Sequence, residues 1–340
     1  MTAKSVLLIS AYKIKATSLG TGIRWLQVIM VVSYILIIIL SAGCEDNSEH
    51  TVITFDSLTI EDYPRVDGST SAHPLQILIA CKLLDVGYRW TPWFDETFRI
   101  WPEYEENPEI AQFIVDGLQH SGTHTAFVNL INKKADIILV ARSASDDEIE
   151  LAGQMDVELL TKPIALDAFV FIVNFRNPVN SLTISQIQNI YTGNLSYWSE
   201  VGGTSDKINP YTREPNSGSQ ELMLDLVMKD LPMLNFPEMI LYGMMGPINR
   251  ISSDKNGLGY TVYFYEQFMA PNDSLKLMAI NGVYPDYETL KSKQYKYTTD
   301  VFVVIRKDLE PSSNAYKMYQ WLLTYAGQRV IEESGYIPYF

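Results

Sequence analysis

Cysteine, histidine and basic charge are all scarce in this chain. Two cysteines, Cys44 and Cys81, cannot build a disulfide scaffold and are too few for a cysteine-ligated zinc or iron–sulfur centre. Four histidines, His50, His73, His120 and His124, leave little material for a metal site, so neither metal nor cofactor is expected. Lys and Arg number 26 against 40 Asp and Glu, a formal charge of −14, which argues against nucleic acid held by bulk charge. No Gly-x-Ser-x-Gly, His-Glu-x-x-His or Walker loop is present, and no spacing places a histidine beside a serine nucleophile, His124 at a helix start being the one candidate weighed, so catalysis is not expected. There is no internal repeat and no low-complexity tract. What is there is a globular composition: 47% apolar and 19% charged residues over 340 positions, enough for one large domain or two lobes.

The amino end reads as an address. Residues Met1–Arg24 carry Lys4, Lys13, Lys15 and Arg24 and no acid, and an uncharged run from Leu26 to Leu40 follows. That run is short for a membrane-spanning helix, which needs ~20 residues. Ser41-Ala42-Gly43 then supplies the small residues of a cleavage site, directly before Cys44. This pattern resembles a bacterial lipobox, with Leu40 one place further from the cysteine than usual. Residues 1–43 are thus expected to be a lipoprotein signal peptide, Cys44 the lipidated residue and residues 44–50 a polar tether. An uncleaved anchor with an incidental cysteine is the alternative. Cleavage removes four basic residues and no acid, leaving −18 on 297 residues. Cys81, in an apolar helical stretch, is expected to be a buried thiol.

Strand-like and helix-like runs alternate, which reads as an α/β fold. Strands are expected at Val52–Ile60, Asp136–Ala141, Ala168–Val173, Gly257–Tyr265 and Asp300–Ile305, with Ala168–Val173 as a central parallel strand. Helices are expected at Ala72–Leu84, Ala126–Lys134, Thr183–Tyr191, Ser219–Lys229 and Ala315–Glu333. Thr183-x-x-Gln186 is a capping box. The aromatic-rich stretch Arg89–Glu106, with Trp90, Trp93, Phe94, Phe98 and Trp101, reads as a loop with a local packing cluster, or alternatively a docking surface.

One chemical pattern recurs at three helix starts. Gly68-Ser69-Thr70-Ser71, Ser121-Gly122-Thr123 and Ser217-Gly218-Ser219 each place hydroxyls and a glycine where a helix begins. Unpaired N–H groups and small hydroxyls suit a compact anion, although Ser and Thr also serve as ordinary N-caps, and Ser217-x-x-Gln220 fits a capping box. Arg142, after the Asp136 strand, and Arg213, four residues before Ser217, could grip an oxyanion with paired hydrogen bonds. Ordinary salt bridges are the alternative, Arg213 with Glu214 and Arg142 with Asp146 or Asp147.

These residues resemble the phosphate-binding lipoproteins of bacterial phosphate ABC transporters. The resemblance rests on Asp67-Gly68-Ser69-Thr70-Ser71, on Ala135–Ile138 through Ala141-Arg142, and above all on Thr212-Arg213-Glu214-Pro215-Asn216-Ser217-Gly218-Ser219-Gln220-Glu221. Leu182–Ile187, Ile190–Gly193, Trp198 and Asn256–Tyr260 follow in the family's order. It implies a type II periplasmic binding-protein fold, two α/β lobes joined by crossing strands, with the ligand in the cleft. Lobe one would be 51–165 plus 264–340 and lobe two 166–263. The resemblance implies capture of inorganic phosphate, without chemistry, for ABC permease subunits, by a monomer held outside the cytoplasm through lipidated Cys44. Ser69, Thr70, Ser71, Thr123, Arg142, Ser143, Arg213, Ser217, Gly218 and Ser219 would be the phosphate ligands. Another oxyanion such as molybdate or tungstate, a phosphate sensor or scavenger, or a lipid-anchored hydrolase are the alternatives. Many relatives have an aspartate after the Asp136 strand that accepts the proton of hydrogen phosphate. This chain has Arg142-Ser143-Ala144 there, and Asp67, Asp146, Asp147 and Glu214 are the possible substitutes.

Overall fold

The computed structural model describes residues 58–92, 97–105, 107–234 and 236–340. The leader, Cys44, the tether, Trp93 and Phe94 lie outside the described residues, as does most of the expected Val52–Ile60 strand; its described part, 58–60, is not a strand.

The first part of the chain runs β1 (Val66–Gly68), α1 (His73–Leu83), β2 (Tyr88–Pro92), β3 (Phe98–Pro102), α2 (Pro108–Gly117), α3 (Thr123–Ile131), β4 (Ile137–Val140), α4 (Asp146–Gln154) and β5 (Leu159–Asn174). Next come β6 (Ser181–Leu182), α5 (Ile184–Tyr191), β7 (Asn209–Pro210), β8 (Thr212–Arg213), α6 (Gly218–Leu222), β9 (Ile240–Leu241), α7 (Met245–Ser253) and β10 (Gly257–Val262). The chain ends with β11 (Leu275–Leu277), β12 (Ala279–Ile280), α8 (Tyr287–Lys291), β13 (Thr298–Arg306), α9 (Asn314–Leu322), α10 (Tyr325–Glu333) and β14 (Ile337–Pro338).

One sheet organises the molecule, in the order β1-β4-β13-β5-β10-β7, with β11 and β14 also on β5. β5 is its spine. Residues Leu159–Ala168 pair with β13 and Phe169–Val173 with β10, so the neighbouring strand changes between Ala168 and Phe169. Ala168–Val173 is fully buried, as an uninterrupted apolar run requires. Its pairing corrects the expectation of a parallel strand: β13, β10, β11 and β14 all run antiparallel to β5. An apolar run reports burial on both faces, and direction is set by the connections, which the run does not encode.

Other elements differ from expectation at identifiable points. The Ala126 helix begins earlier, at Thr123. The Ser219 helix keeps α geometry to Leu222 and widens into a π-type turn over Met223–Met228. The terminal helical region is two helices, because the Thr324 hydroxyl accepts from the Gly327 amide and caps a second start. The capping box at Thr183 forms as expected, with Gln186 Oε1 2.8 Å from the Thr183 amide. The aromatic stretch is a hairpin and not a loop: β2 and β3 pair in register from Tyr88↔Pro102 to Pro92↔Phe98. Its Trp, Phe, Ile and Thr residues favour a pleated surface, and that β preference outweighs the turn signal of its prolines. Cys81 is free and buried, and burial pushes its thiol up to about 12.

Candidate functional site

The site starts at the carboxyl end of β1. Gly68 lies so close to β4 that a Cβ would stand 2.1 Å from the Leu139 carbonyl oxygen, which excludes any side chain. The turn that follows sets Ser69, Thr70 and Ser71 ahead of α1. Asp67 ties this turn to the next one. Its Oδ1 accepts from the Gly68 and Ser121 amides at 2.7 and 2.9 Å, and its Oδ2 from Ser121 Oγ and Asn129 Nδ2 at 2.7 and 2.8 Å. With four donors on a buried carboxylate, Asp67 joins two helix starts and is not available to a ligand. Gly122, at φ 93°, then turns the chain into α3, and Thr123 becomes its first residue.

The third start comes from the far side. β8 delivers Arg213, and Asn216 takes the left-handed conformation, φ 65°, that asparagine tolerates best among side-chain-bearing residues. Capping and ligand readings divide here. Ser217 Oγ accepts from the Gln220 amide at 3.2 Å, so ordinary capping holds at this start. Neither Ser69 nor Gly122 makes a side-chain cap, and the hydroxyls at those two starts are not spent on capping. α3 and α6 approach each other closely, since a Cβ on Gly218 would lie 3.0 Å from Thr123 Oγ1.

These pieces enclose a cavity of about 400 Å³. It brings together Ser69, Thr70, Ser71, Thr123, Arg213, Ser217, Gly218 and Ser219. Arg142 and Ser143 are not on it. They line a neighbouring cavity of about 880 Å³, separated from the first by Ala141 and Leu222. Arg142 is buried, and its Nη1 and Nη2 donate to Glu148 Oε2 and Oε1 at 2.9 and 2.8 Å. The salt-bridge alternative is therefore realised, but with Glu148 in place of Asp146 or Asp147. Glu148 turns inward because it is the third residue of α4 and its Oε2 also accepts from the Ser145 amide, as a capping-box glutamate does.

Arg213 is only 4% exposed, unlike the surface residue a salt bridge to a sequence neighbour suggests. Its Nε and Nη2 donate to Glu214 at 3.0 Å each, its Nε also to the Leu241 carbonyl at 3.2 Å, and its Nη1 to Ser219 Oγ at 2.8 Å. Its amide donates to Gln220 Oε1 and to the Tyr260 hydroxyl oxygen, both at 3.1 Å. The guanidinium is thus clamped into one orientation at the cavity wall. Burial raises the Glu214 pKa, but the Arg213 hydrogen bonds and charge outweigh it and leave the carboxyl below its ordinary value.

His120, His124, Thr125, Asn216 and Met244 also line the cavity, and sequence reasoning did not name them as ligands. The histidines flank Ser121-Gly122-Thr123, a signal that a search for serine and threonine passes over. His120 packs on His73 with ring centroids 4.1 Å apart. Burial, His120 and Arg99 push His73 down to about 3, and burial and Arg99 hold His120 below its ordinary value. His124 Nδ1 lies 3.1 Å from Glu148 Oε1 and 3.5 Å from Asp147 Oδ2. These three side chains offer metal-type atoms within 4.8 Å of one another, but Arg142 already occupies both Glu148 oxygens.

A family model described as a PBP superfamily domain matches residues 91–326. The phosphate-binding protein PstS of Borreliella burgdorferi is 24% identical over 222 residues, spanning 64% of this chain and 77% of that protein. Among solved structures, a phosphate-bound substrate-binding protein from Clostridium perfringens superposes with a TM-score of 0.61 at 22% identity, over 81% of this chain and 98% of that one. An ABC-type phosphate transport receptor from Vibrio cholerae gives 0.58 at 21% identity, over 81% and 99%. At these identities the structural likeness is one of fold.

Proposed function

Because the chain belongs to the PBP superfamily and carries the type II periplasmic binding-protein fold, we propose that it captures inorganic phosphate outside the cytoplasm and delivers it to an ABC importer. The observation that carries this reading is the cavity itself. Hydroxyls from two helix starts and a buried, clamped arginine from a third line one cavity, a donor-rich wall that suits a small oxyanion. The relatives that bind phosphate make phosphate the first candidate among oxyanions.

Ser69, Thr70, Ser71 and Thr123 contact the anion from one side, and Arg213, Ser217, Gly218 and Ser219 from the other. Lobe one is taken as 51–165 plus 264–340 and lobe two as 166–263, except that β11 and β12 pair with Ile172–Asn174 of β5 and with β6 and so go with lobe two; β5 crosses between the lobes where its partner changes from β13 to β10. Closure of the lobes excludes water, and fixed dipoles and guanidinium hydrogen bonds then count for more. Arg142 acts behind the wall, through Glu148, its Nη1 also donating to the Ser143 carbonyl, and neither Arg142 nor Ser143 is a direct ligand. No bond is made or broken in this cycle. Two acyl chains on Cys44 after removal of residues 1–43 anchor the protein as a monomer to a bacterial membrane, within reach of the permease.

Equilibrium dialysis with radiolabelled phosphate tests the reading. Retention that unlabelled phosphate displaces and sulfate does not is the expected result. Retention equally displaced by both, or none at all, overturns it.

A further inference from the structure

A phosphate ion near neutral pH still carries a proton, and a wall made only of donors leaves that proton without an acceptor. Glu214 is the one carboxylate lining the cavity among the described residues, and both its oxygens are taken by Arg213, one of them also by the Gly243 amide. Asp67 is saturated by four donors, and Asp146 lines the neighbouring cavity.

His124 stands on the cavity wall in the first turn of α3. Its Nδ1 faces Glu148 and Asp147. An ionised carboxylate can only accept, so the hydrogen in these contacts sits on Nδ1. Arg142 and the Ser145 amide fix Glu148 from behind, which fixes the orientation of the imidazole in turn. In the neutral ring, Nε2 then carries a lone pair.

We propose that His124 Nε2 accepts the proton of bound hydrogen phosphate, and that this residue sets the preference for a protonated oxyanion over a fully ionised one. The inference rests on the phosphate reading of the cavity. Sulfate brings only lone pairs to a neutral His124 and is rejected. The charged and titratable groups around His124 are Asp147 and Glu148 on α4, Arg142 behind Glu148, His120 on the same wall, and Arg213 with Glu214 across the cavity.

The test is calorimetric titration of wild type, His124→Ala and His124→Gln with phosphate and with sulfate at one fixed pH of about 8. Wild type should prefer phosphate. His124→Ala should cut the phosphate-to-sulfate ratio by roughly tenfold or more. His124→Gln, which keeps an acceptor, should retain most of the ratio. A His124→Ala protein with unchanged ratio overturns the inference alone, as does a His124→Gln protein that loses the ratio as fully as His124→Ala. A wild type that binds neither anion overturns the phosphate reading and this inference with it.

Discussion

Asp167→Asn removes one buried charge at the point where β5 changes partners. The Asp167 carboxylate is 1% exposed. Its Oδ1 accepts from the Ala168 amide at 2.7 Å and the Phe264 amide at 2.9 Å, joining β5 to the segment after β10, while Oδ2 is buried without a hydrogen-bond partner. Burial pushes its pKa from 3.8 to about 7, and the two amide hydrogen bonds only partly oppose this. At 1.36 kcal/mol per pH unit, the rise corresponds to roughly 4 kcal/mol against the folded state once the carboxyl ionises. The sign follows from the raised folded value. Stability is full below the unfolded pKa near 4, declines as pH rises, and has lost its full amount above about 7. Asparagine keeps an oxygen for both amides and never ionises. The stability difference between variant and wild type, measured by urea unfolding, should therefore grow from about zero near pH 4 to roughly 2–4 kcal/mol in favour of the variant near pH 8. Glu266 and Asp300, also raised by burial, and His73, lowered by it, titrate in both proteins and cancel in the difference. Parallel pH curves for the two proteins would refute the reasoning.

Arg213→Ala should weaken phosphate binding at least ~10-fold. The sequence alone suggests that the melting temperature of the ligand-free protein would be unchanged. The buried clamp on Glu214, Ser219 and Leu241 predicts a clear loss instead, which differential scanning fluorimetry reads. Gly218→Ala should reduce phosphate affinity severalfold with little change in unfolding free energy, because its methyl meets Thr123 Oγ1 at 3.0 Å. Gly68→Ala should cost roughly 3 kcal/mol or more in urea unfolding, since the clash is with backbone. Stopped-flow association of phosphate should speed up with added salt, because a chain with 40 acids against 26 basic residues repels an anion at long range.

Much of this cavity's lining is legible in sequence because its chemistry is local. The Ser69–Ser71, Thr123 and Ser217–Ser219 segments announce helix starts by composition, and the fold brings all three to one cavity. Arg142 was misplaced because its position after a strand says where the backbone ends and not where the guanidinium turns. Glu148, six residues on, captured it through a capping geometry that brings the carboxylate inward. The direction of β5 was hidden for a similar reason: full burial looks the same in parallel and antiparallel sheets. His120 and His124, which also line the cavity, are not named as ligands by a rule built on small hydroxyls, because it does not weigh an imidazole beside them. The acidic composition says equally little about the cavity, whose nearest charges are Arg213 and its partner Glu214, because surface charge is largely screened beyond ~8 Å at physiological ionic strength.

Calorimetric titration of the protein with phosphate, sulfate and molybdate at a fixed pH near 8 tests the central claim most directly. Tight, saturable heat from phosphate and little from the other two is the result predicted by a donor-lined cavity with a proton acceptor on its wall. Heat from sulfate or molybdate, with none from phosphate, would contradict it.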